Sequence, residues 1–179
     1  KLGYEPQKGV LFSGTIASNI LYGNAKGSEA EMKEAAQVAQ ASEFIAEKQD
    51  EYESPIAQGG TNVSGGQKQR LSIARAIAKN PDVFIFDDSF SALDYKTDVT
   101  LRKALKEHTQ DSVVLIVAQR ISTILHADQI VVLDEGEAVG IGTHKELLKS
   151  CEVYRQIAMS QLSEEEIARD LGKKERSHE

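Results

Sequence analysis

Val83-Phe-Ile-Phe86 and Val113-Val-Leu-Ile-Val-Ala118 are apolar without interruption, and both are rich in β-branched or aromatic side chains. Short runs of this kind, apolar on both faces, read as central strands of a parallel sheet. The helical stretch between them, around Lys96 to His108, would be the crossover. Upstream, Leu71, Ala74, Ile77 and Ala78 recur at helical spacing and predict a helix from near Ser64 with one face packed inward. Asn80-Pro81 stops it, because proline restricts the preceding residue and blocks continuation. Gly59, Gly60, Gly65 and Gly66 make a flexible approach to that helix. Ser28 with Glu31 forms a capping-box pair, predicting a helix from Glu29 towards Ala41, and Ser42 opens another short one. Ile130-Val-Val-Leu133, the turn Asp134-Glu-Gly136 and Ala138-Val-Gly-Ile141 predict a terminal hairpin, and Thr143 with Glu146 caps a helix through Leu148. The fold class is therefore α/β. From Ser163 the chain is mostly charged, with Glu164-Glu-Glu166 and Lys173-Lys174, and reads as a solvated helix ending in a frayed tail.

A length of 179 residues fits one domain with a proper core. The net charge of -7 and pI near 5.2 argue against a general nucleic-acid or anionic-membrane surface, which needs clustered Lys and Arg. Cys151, the single cysteine, has no partner in the chain for a disulfide and fits a reducing compartment. The longest apolar run, Val113 to Ala118, falls far short of the ~20 residues that span a bilayer, so the polypeptide is expected to be soluble. The opening residues KLGYEPQKG lack Met and do not form a signal peptide; they read as a strand already under way rather than the start of a protein.

Ligands of α/β sheets bind at strand ends, which draws attention to Asp87 and Asp88 after the first apolar run. One carboxylate there can hold Mg²⁺ through its water shell and its neighbour can orient an attacking water. The plainer alternative is a pair of acids facing solvent. Ser64-Gly65-Gly66-Gln67 offers a second feature: glycines let backbone N–H groups approach an anion, and the positive end of the following helix favours phosphate. Its plainer alternative is a serine N-cap after a glycine turn.

Taken in order, Val63-Ser-Gly-Gly-Gln67 with Lys68-Gln-Arg70 and Ala74-Arg-Ala76, then Phe84-Ile-Phe-Asp87, then Ser91-Ala-Leu-Asp94, resemble the signature motif, Walker B strand and D-loop of ATP-binding-cassette (ABC) proteins. Pro6-Gln7 resembles their Q-loop, and Leu11-Phe-Ser-Gly-Thr-Ile16 with Asn19-Ile20 and Tyr22-Gly23 is similar to the exporter branch. The resemblance runs from about Gly3 to Leu148. It implies the C-terminal portion of an ABC ATPase domain of the P-loop NTPase class, with a helical signature subdomain at about residues 14–80, the partial domain spanning 1–160 and a charged tail over 161–179. It further implies ATP and Mg²⁺ as cofactors, a second nucleotide-binding domain as partner, a transmembrane domain upstream, and a place at the cytoplasmic face of the cell membrane. Position by position, it implies that Asp87 binds the Mg²⁺ of ATP, that Gln7 reaches the metal and senses the γ-phosphate, and that Ser64, Gly65 and Gly66, with Gln67 in the same motif, contact a γ-phosphate held by the partner. Asp94 would organise the dimer seam.

Three departures from the family pattern bear on activity. Asp88 stands where hydrolytic members carry a glutamate that orients or deprotonates water, and Gln119 stands where a histidine contacts the γ-phosphate. The shorter side chain matters because a misplacement of about 1 Å can cost roughly 10²-fold in rate. Of the four histidines, His108 and His126 are read on helical stretches and His144 and His178 lie much further along, so none substitutes. No G-x-x-x-x-G-K-[ST] phosphate loop occurs; it would belong upstream of Lys1. The approach Ser54-Pro-Ile-Ala-Gln-Gly-Gly60 also lacks the acidic residues usual in exporters. Together these features resemble the degenerate-site subunit of a heterodimeric bacterial multidrug or lipid exporter. The alternatives are a homodimer with poor turnover, a non-transport ABC ATPase and an inactive truncated remnant. A chromosome-structure or DNA-repair relative would carry long coiled coils between the positions of Gln7 and Ser64, and here an ordinary helical segment joins them. The residues that select cargo lie outside this sequence, so drug, lipid and peptide remain open.

Overall fold

The computed structural model describes residues 1–172, so Lys173-Lys174 and His178 lie outside the described residues. The chain divides into two compact units, Lys1–Val117 and Ala118–Glu179. In chain order the first holds β1 (Leu2–Glu5), β2 (Gly14–Thr15), α1 (Ile16–Ile20), α2 (Glu29–Val38), α3 (Ser42–Ala46), β3 (Pro55–Ile56), α4 (Gly65–Ala78), β4 (Val83–Asp87), α5 (Tyr95–His108) and β5 (Val113–Val117). β1, β4 and β5 form a parallel sheet in that order, with Tyr4 beside Ile85 and Asp87 beside Val117. The helix α5 is the crossover between β4 and β5, as the apolar pattern predicted.

The core of this unit sits on one face of the sheet. Phe84 and Phe86 of β4 pack there with Leu71, Ala74 and Ile77 of α4, Leu101 and Leu105 of α5, and the helical layer of Ile16, Ile20, Met32 and Ala35. The opposite face is open: Leu2, Tyr4, Val113, Leu115 and Val117 are all exposed. This corrects the reading of β5 as a central strand, because among the described residues it is a sheet edge with only Val114 and Ile116 turned towards the core. A continuous apolar run says that both faces can be covered, not what covers them.

The predicted helix boundaries shift by a few residues. α2 ends at Val38 rather than near Ala41, with Gln40 in the left-handed region (φ 57°), and α4 ends at Ala78, with Asn80 at φ 45°. Both turns reverse the chain through a single left-handed residue, and asparagine takes that conformation at less cost than most side chains.

The second unit holds α6 (Ile121–Ile124), the antiparallel hairpin β6 (Ile130–Asp134) and β7 (Glu137–Gly142), then α7 (His144–Ser150), α8 (Glu152–Gln161) and α9 (Glu164–Asp170). Glu135 and Gly136 at the hairpin tip both have positive φ, the geometry that tight hairpin turns favour. Ile130 and Val132 pack on Leu147, Leu148, Tyr154 and Ala158. His144 is buried and its ring nitrogens contact the Tyr154 hydroxyl at 2.8 Å and Asp170 Oδ2 at 3.2 Å, which ties α7, α8 and α9 together. That desolvation, with the nearby Asp170 charge, pushes the Tyr154 phenol up to about 12. His126, expected on a helix, instead lies in the turn after α6. The charged stretch beginning at Ser163 does form a helix, α9, with Ser163 and Glu166 in a capping box.

Candidate functional site

The signature helix α4 begins with both of its plainer and its functional features in place. Ser64 is its N-cap: Ser64 Oγ accepts from the Gln67 N–H at 3.2 Å, and Gln67 Oε1 accepts from the Ser64 N–H at 3.2 Å. Gln67 is thereby folded back into a capping box. Gly65 and Gly66 occupy the first two helical positions, whose N–H groups lie outside the i→i−4 ladder and point out of the helix end. The Ser64 hydroxyl, already an acceptor, still has its own proton to donate. Around Gly65 there is open space: an added Cβ would meet nothing within 4 Å. Among the described residues nothing requires glycine at that position, which also has ordinary backbone angles.

The residues after the motif fix the helix to its surroundings. Lys68 Nζ donates to Gly59 O at 2.7 Å, Gln69 Oε1 accepts from the Ala92 N–H at 3.1 Å, and Arg70 Nη1 donates to Gln40 O at 2.7 Å while its guanidinium lies over the Phe44 ring.

A second group of residues gathers at the C-terminal end of β4. Asp87 and Asp88 are half-buried there; the Tyr4 hydroxyl donates to Asp87 Oδ2 at 3.2 Å, and Gln7 Nε2 approaches Asp88 Oδ2 at 3.4 Å. Burial, followed by the Asp87 contact, raises the Tyr4 phenol above its usual range. The Asp88 backbone is left-handed (φ 49°) and its N–H donates to Val117 O at 2.9 Å, so the chain turns sharply off the strand at the second acid. Ser89, Phe90 and Leu93 then pin the loop: Ser89 Oγ donates to Glu5 O at 3.1 Å, and Phe90 and Leu93 are buried. Asp94 ends the loop as the N-cap of α5, accepting from the Thr97 N–H at 3.0 Å and the Thr97 hydroxyl at 2.7 Å. Those bonds, the backbone one first, hold its carboxyl below the ordinary range.

The carboxylate oxygens of Asp87 and Asp88 at the strand end, with the Gln7 amide oxygen nearby on the same side chain that reaches Asp88, are the kind of ligand that suits a hard cation. Among the described residues no group of three or more His, Cys, Asp and Glu stands together, so a metal here needs waters and ligand oxygens to complete its shell. Mg²⁺ binds in that fashion, through one or two carboxylates plus substrate phosphates. Gln119 belongs to the second unit, where its backbone carbonyl accepts from Gln161 Nε2 at 2.8 Å.

The family profile described as ABC transporter matches residues 1–91, which hold the Gln7 loop, the whole of α4 and the strand end at Asp87 and Asp88. This chain belongs to the ABC transporter family. Among its relatives, an uncharacterized ABC transporter ATP-binding protein of Mycobacterium tuberculosis is 45% identical over 163 residues, covering 89% of this chain and 28% of that protein. The ABC transporter ATP-binding protein YfiB of Bacillus subtilis is 44% identical over 92% of this chain and 28% of its own length. A solved structure of a bacterial Atm1-family ABC exporter with ATP bound superposes with a TM-score of 0.87 at 37% identity, over 91% of this chain and 29% of that one. The chain thus spans under a third of the length of these relatives, and its mixed helix and parallel-sheet architecture is that of an ABC ATPase domain fragment.

Tyr4 and Glu5 were not singled out from the sequence, and Gln69 was quoted there only within the Lys68-Gln-Arg70 run, with no task of its own. Tyr4 reaches Asp87 because β1 pairs beside β4, and Gln69 reaches Ala92 across 23 positions; neither neighbour is visible along the chain. Glu5 is 1% exposed with neither carboxylate oxygen hydrogen-bonded, and lies against Gly9 and Ser72, where a Cβ on Gly9 would come within 2.6 Å of both side chains. Burial pushes its carboxyl up to about 8, against a smaller opposing pull from the Arg75 charge. The alternation Leu2-Gly3-Tyr4-Glu5 was the available signal, since it puts Glu5 on the same face of β1 as the buried Gly3.

Proposed function

We propose that this chain is the ATP-binding and ATPase part of an ABC exporter, that its own nucleotide site is degenerate, and that its Ser64-Gly65-Gly66 segment completes the hydrolytic site of a partner nucleotide-binding domain. The observation that carries the reading is Gly65. It stands at the exposed N-terminus of a 14-residue helix where an added Cβ would meet none of the described residues within 4 Å, which leaves that helix end open to a group approaching closely from outside. A γ-phosphate held by a partner fits, because it accepts from the Gly65 and Gly66 amides and the Ser64 hydroxyl and is favoured by the helix dipole.

At the chain's own site, Asp87 would hold Mg²⁺ through water and Gln7 would sense it, while Asp88 takes the place of the water-orienting acid. Bound with ATP, the metal would neutralise charge developing on the phosphates. Asp88, with its short side chain and left-handed backbone, leaves that site weak, and Gln119, at the position where the family resemblance implies a histidine, has no cationic form. The open sheet face of Leu2, Tyr4, Val113, Leu115 and Val117 supports cover by further parts of a longer protein, including the G-x-x-x-x-G-K-[ST] loop that residues 1–179 do not contain.

The exporter assignment is supported by the Atm1-family exporter structure and by a Rickettsia felis relative named as an export ATP-binding/permease protein, 38% identical over 90% of this chain. Among the described residues no helix is long and apolar enough to cross a membrane. In this reading a transmembrane domain elsewhere in the assembly is the partner, and this part works at the cytoplasmic face of the membrane. The exposed Phe12 and Tyr22 rings, stacked at 4.4 Å with Arg75 against Phe12, provide an aromatic surface suited to that partner. The steady-state ATPase rate of the assembled, reconstituted transporter tests the proposal. Gly65→Asp should lower it by roughly 10²–10³-fold, the scale of losing preorganised donors; an unchanged rate would rule out a role for this helix end at a nucleotide.

A further inference from the structure

We infer that Gln69 is a positioning residue that locks the loop from Asp88 to Asp94 onto the first turns of α4, so that the groups serving this chain's nucleotide and those serving the partner's are held in one fixed arrangement. The inference rests on the reading above for what the two groups do, and on geometry for the lock itself. Gln69 is 8% exposed on an otherwise polar turn of helix, and its Oε1 accepts the Ala92 N–H at 3.1 Å. Gly66 lies over the same loop residue, with an added Cβ 3.5 Å from Ala92 O. The backbone of Ala92 is thus approached on both its donor and acceptor sides by the first turns of the signature helix.

The rest of the loop is anchored elsewhere. Phe90 and Leu93 are buried in the core, Ser89 Oγ bonds Glu5 O of β1, and Asp94 caps α5. Those contacts tie the loop to the sheet, to the next helix and to the core that α4 shares, whereas the Gln69 bond joins the exposed Ala92 backbone itself to the first turns of α4. Asp88 is only four residues before Ala92, and Ser91 closes the turn between them, with its N–H and Oγ both directed at Asp88 O at 3.4 and 3.0 Å. A displacement of the helix N-terminus, as when a partner's phosphate is gained or lost there, is transmitted through the Gln69 amide to the turn that carries Asp88. Exposed loop backbone has water as an alternative partner, so one buried amide acceptor biases the Ser91-Ala92 backbone towards following the helix.

The test uses the full-length protein with its partner and two variants. Gln69→Leu fills similar space without an acceptor; Gln69→Glu keeps an acceptor oxygen. Hydrogen–deuterium exchange of peptides covering Ala92 should quicken about five- to tenfold in Gln69→Leu, the worth of one hydrogen bond, with α4 itself unchanged, and should return towards the parent rate in Gln69→Glu. Steady-state kinetics should show kcat falling by a similar factor in Gln69→Leu with KM for ATP nearly constant, and recovering in Gln69→Glu. Unchanged exchange at Ala92 in Gln69→Leu, or equal losses in both variants, would overturn the lock. Gly65→Asp measured alongside separates the two levels: if it leaves turnover intact, the cross-site reading has failed, while the exchange result still judges Gln69.

Discussion

Glu5 gives the ABC domain a stability that should fall as pH rises through neutrality. Its carboxyl is buried without a hydrogen-bond partner and titrates at about 8 in the folded chain against an ordinary value of 4.5. Because the folded state binds the proton more tightly, the protonated form favours folding. The contribution is fully present below pH 4.5 and is lost as pH rises through 8. Each unit is worth about 1.4 kcal/mol, so between pH 5 and pH 8 the loss is roughly 3 kcal/mol, a large share of a typical domain's stability. Glu5→Gln keeps the shape and removes the titration. Urea unfolding of parent and variant from pH 5 to 9 isolates the effect, since every other carboxylate is common to both. The difference in unfolding free energy should swing by about 3 kcal/mol towards the variant as pH rises, whatever constant offset the buried amide adds. A pH-independent difference would mean that Glu5 is ionised throughout, through a rearrangement that brings Arg75 or water onto it.

Other consequences follow from the same geometry. Gly65→Ala should raise thermal stability, by roughly 0.5–1 kcal/mol, since its Cβ meets nothing and alanine favours a helix, while lowering ATP turnover of the assembled transporter; a parallel fall in both would place the need for glycine inside the fold. Asp88→Glu with Gln119→His should raise turnover of the full-length protein with its partner, and an unchanged rate in the double variant would show that another feature limits it; either single change can be silent, because groups acting as a unit are not additive. Residues 1–179 alone, with no phosphate loop in the sequence, should bind Mg-ATP weakly, and micromolar affinity by calorimetry would contradict the idea that Asp87 and Gln7 by themselves hold little.

The sequence disclosed those parts of the fold that depend on local rules. Capping pairs at Ser28 and Thr143 appear as capping boxes, and the apolar run at Val83 lies in the middle of the parallel sheet. The strand-end position of Asp87 and Asp88 was legible for the same reason, because a short apolar run followed by acids has one topological outcome in such a sheet. What stayed hidden depends on packing between distant segments. The Val113–Val117 run reads the same whether one of its faces is covered or open. Glu5 looks like a surface acid until Gly9 and Ser72 close over it, and Gln69 looks like any polar helix residue until Ala92 arrives beside it. Asp94, marked as a dimer-seam residue by resemblance, also has a capping task at Thr97 that spacing alone could have flagged.

The central claim, that this chain's signature helix serves a partner's hydrolytic site while its own site is weak, predicts an asymmetry between two single substitutions. Steady-state ATPase rates of reconstituted heterodimer should be measured side by side for Gly65→Asp in this chain and for the matching glycine substitution in the partner's signature. Gly65→Asp should nearly abolish hydrolysis, with a loss on the order of a hundredfold or more, because its carboxylate would stand in front of the Gly65 and Gly66 amides and repel the phosphate they are to bind; the partner's substitution should be milder, because it touches only the weak site. Equal losses, or a larger loss from the partner's substitution, would contradict the assignment of the degenerate site to this chain.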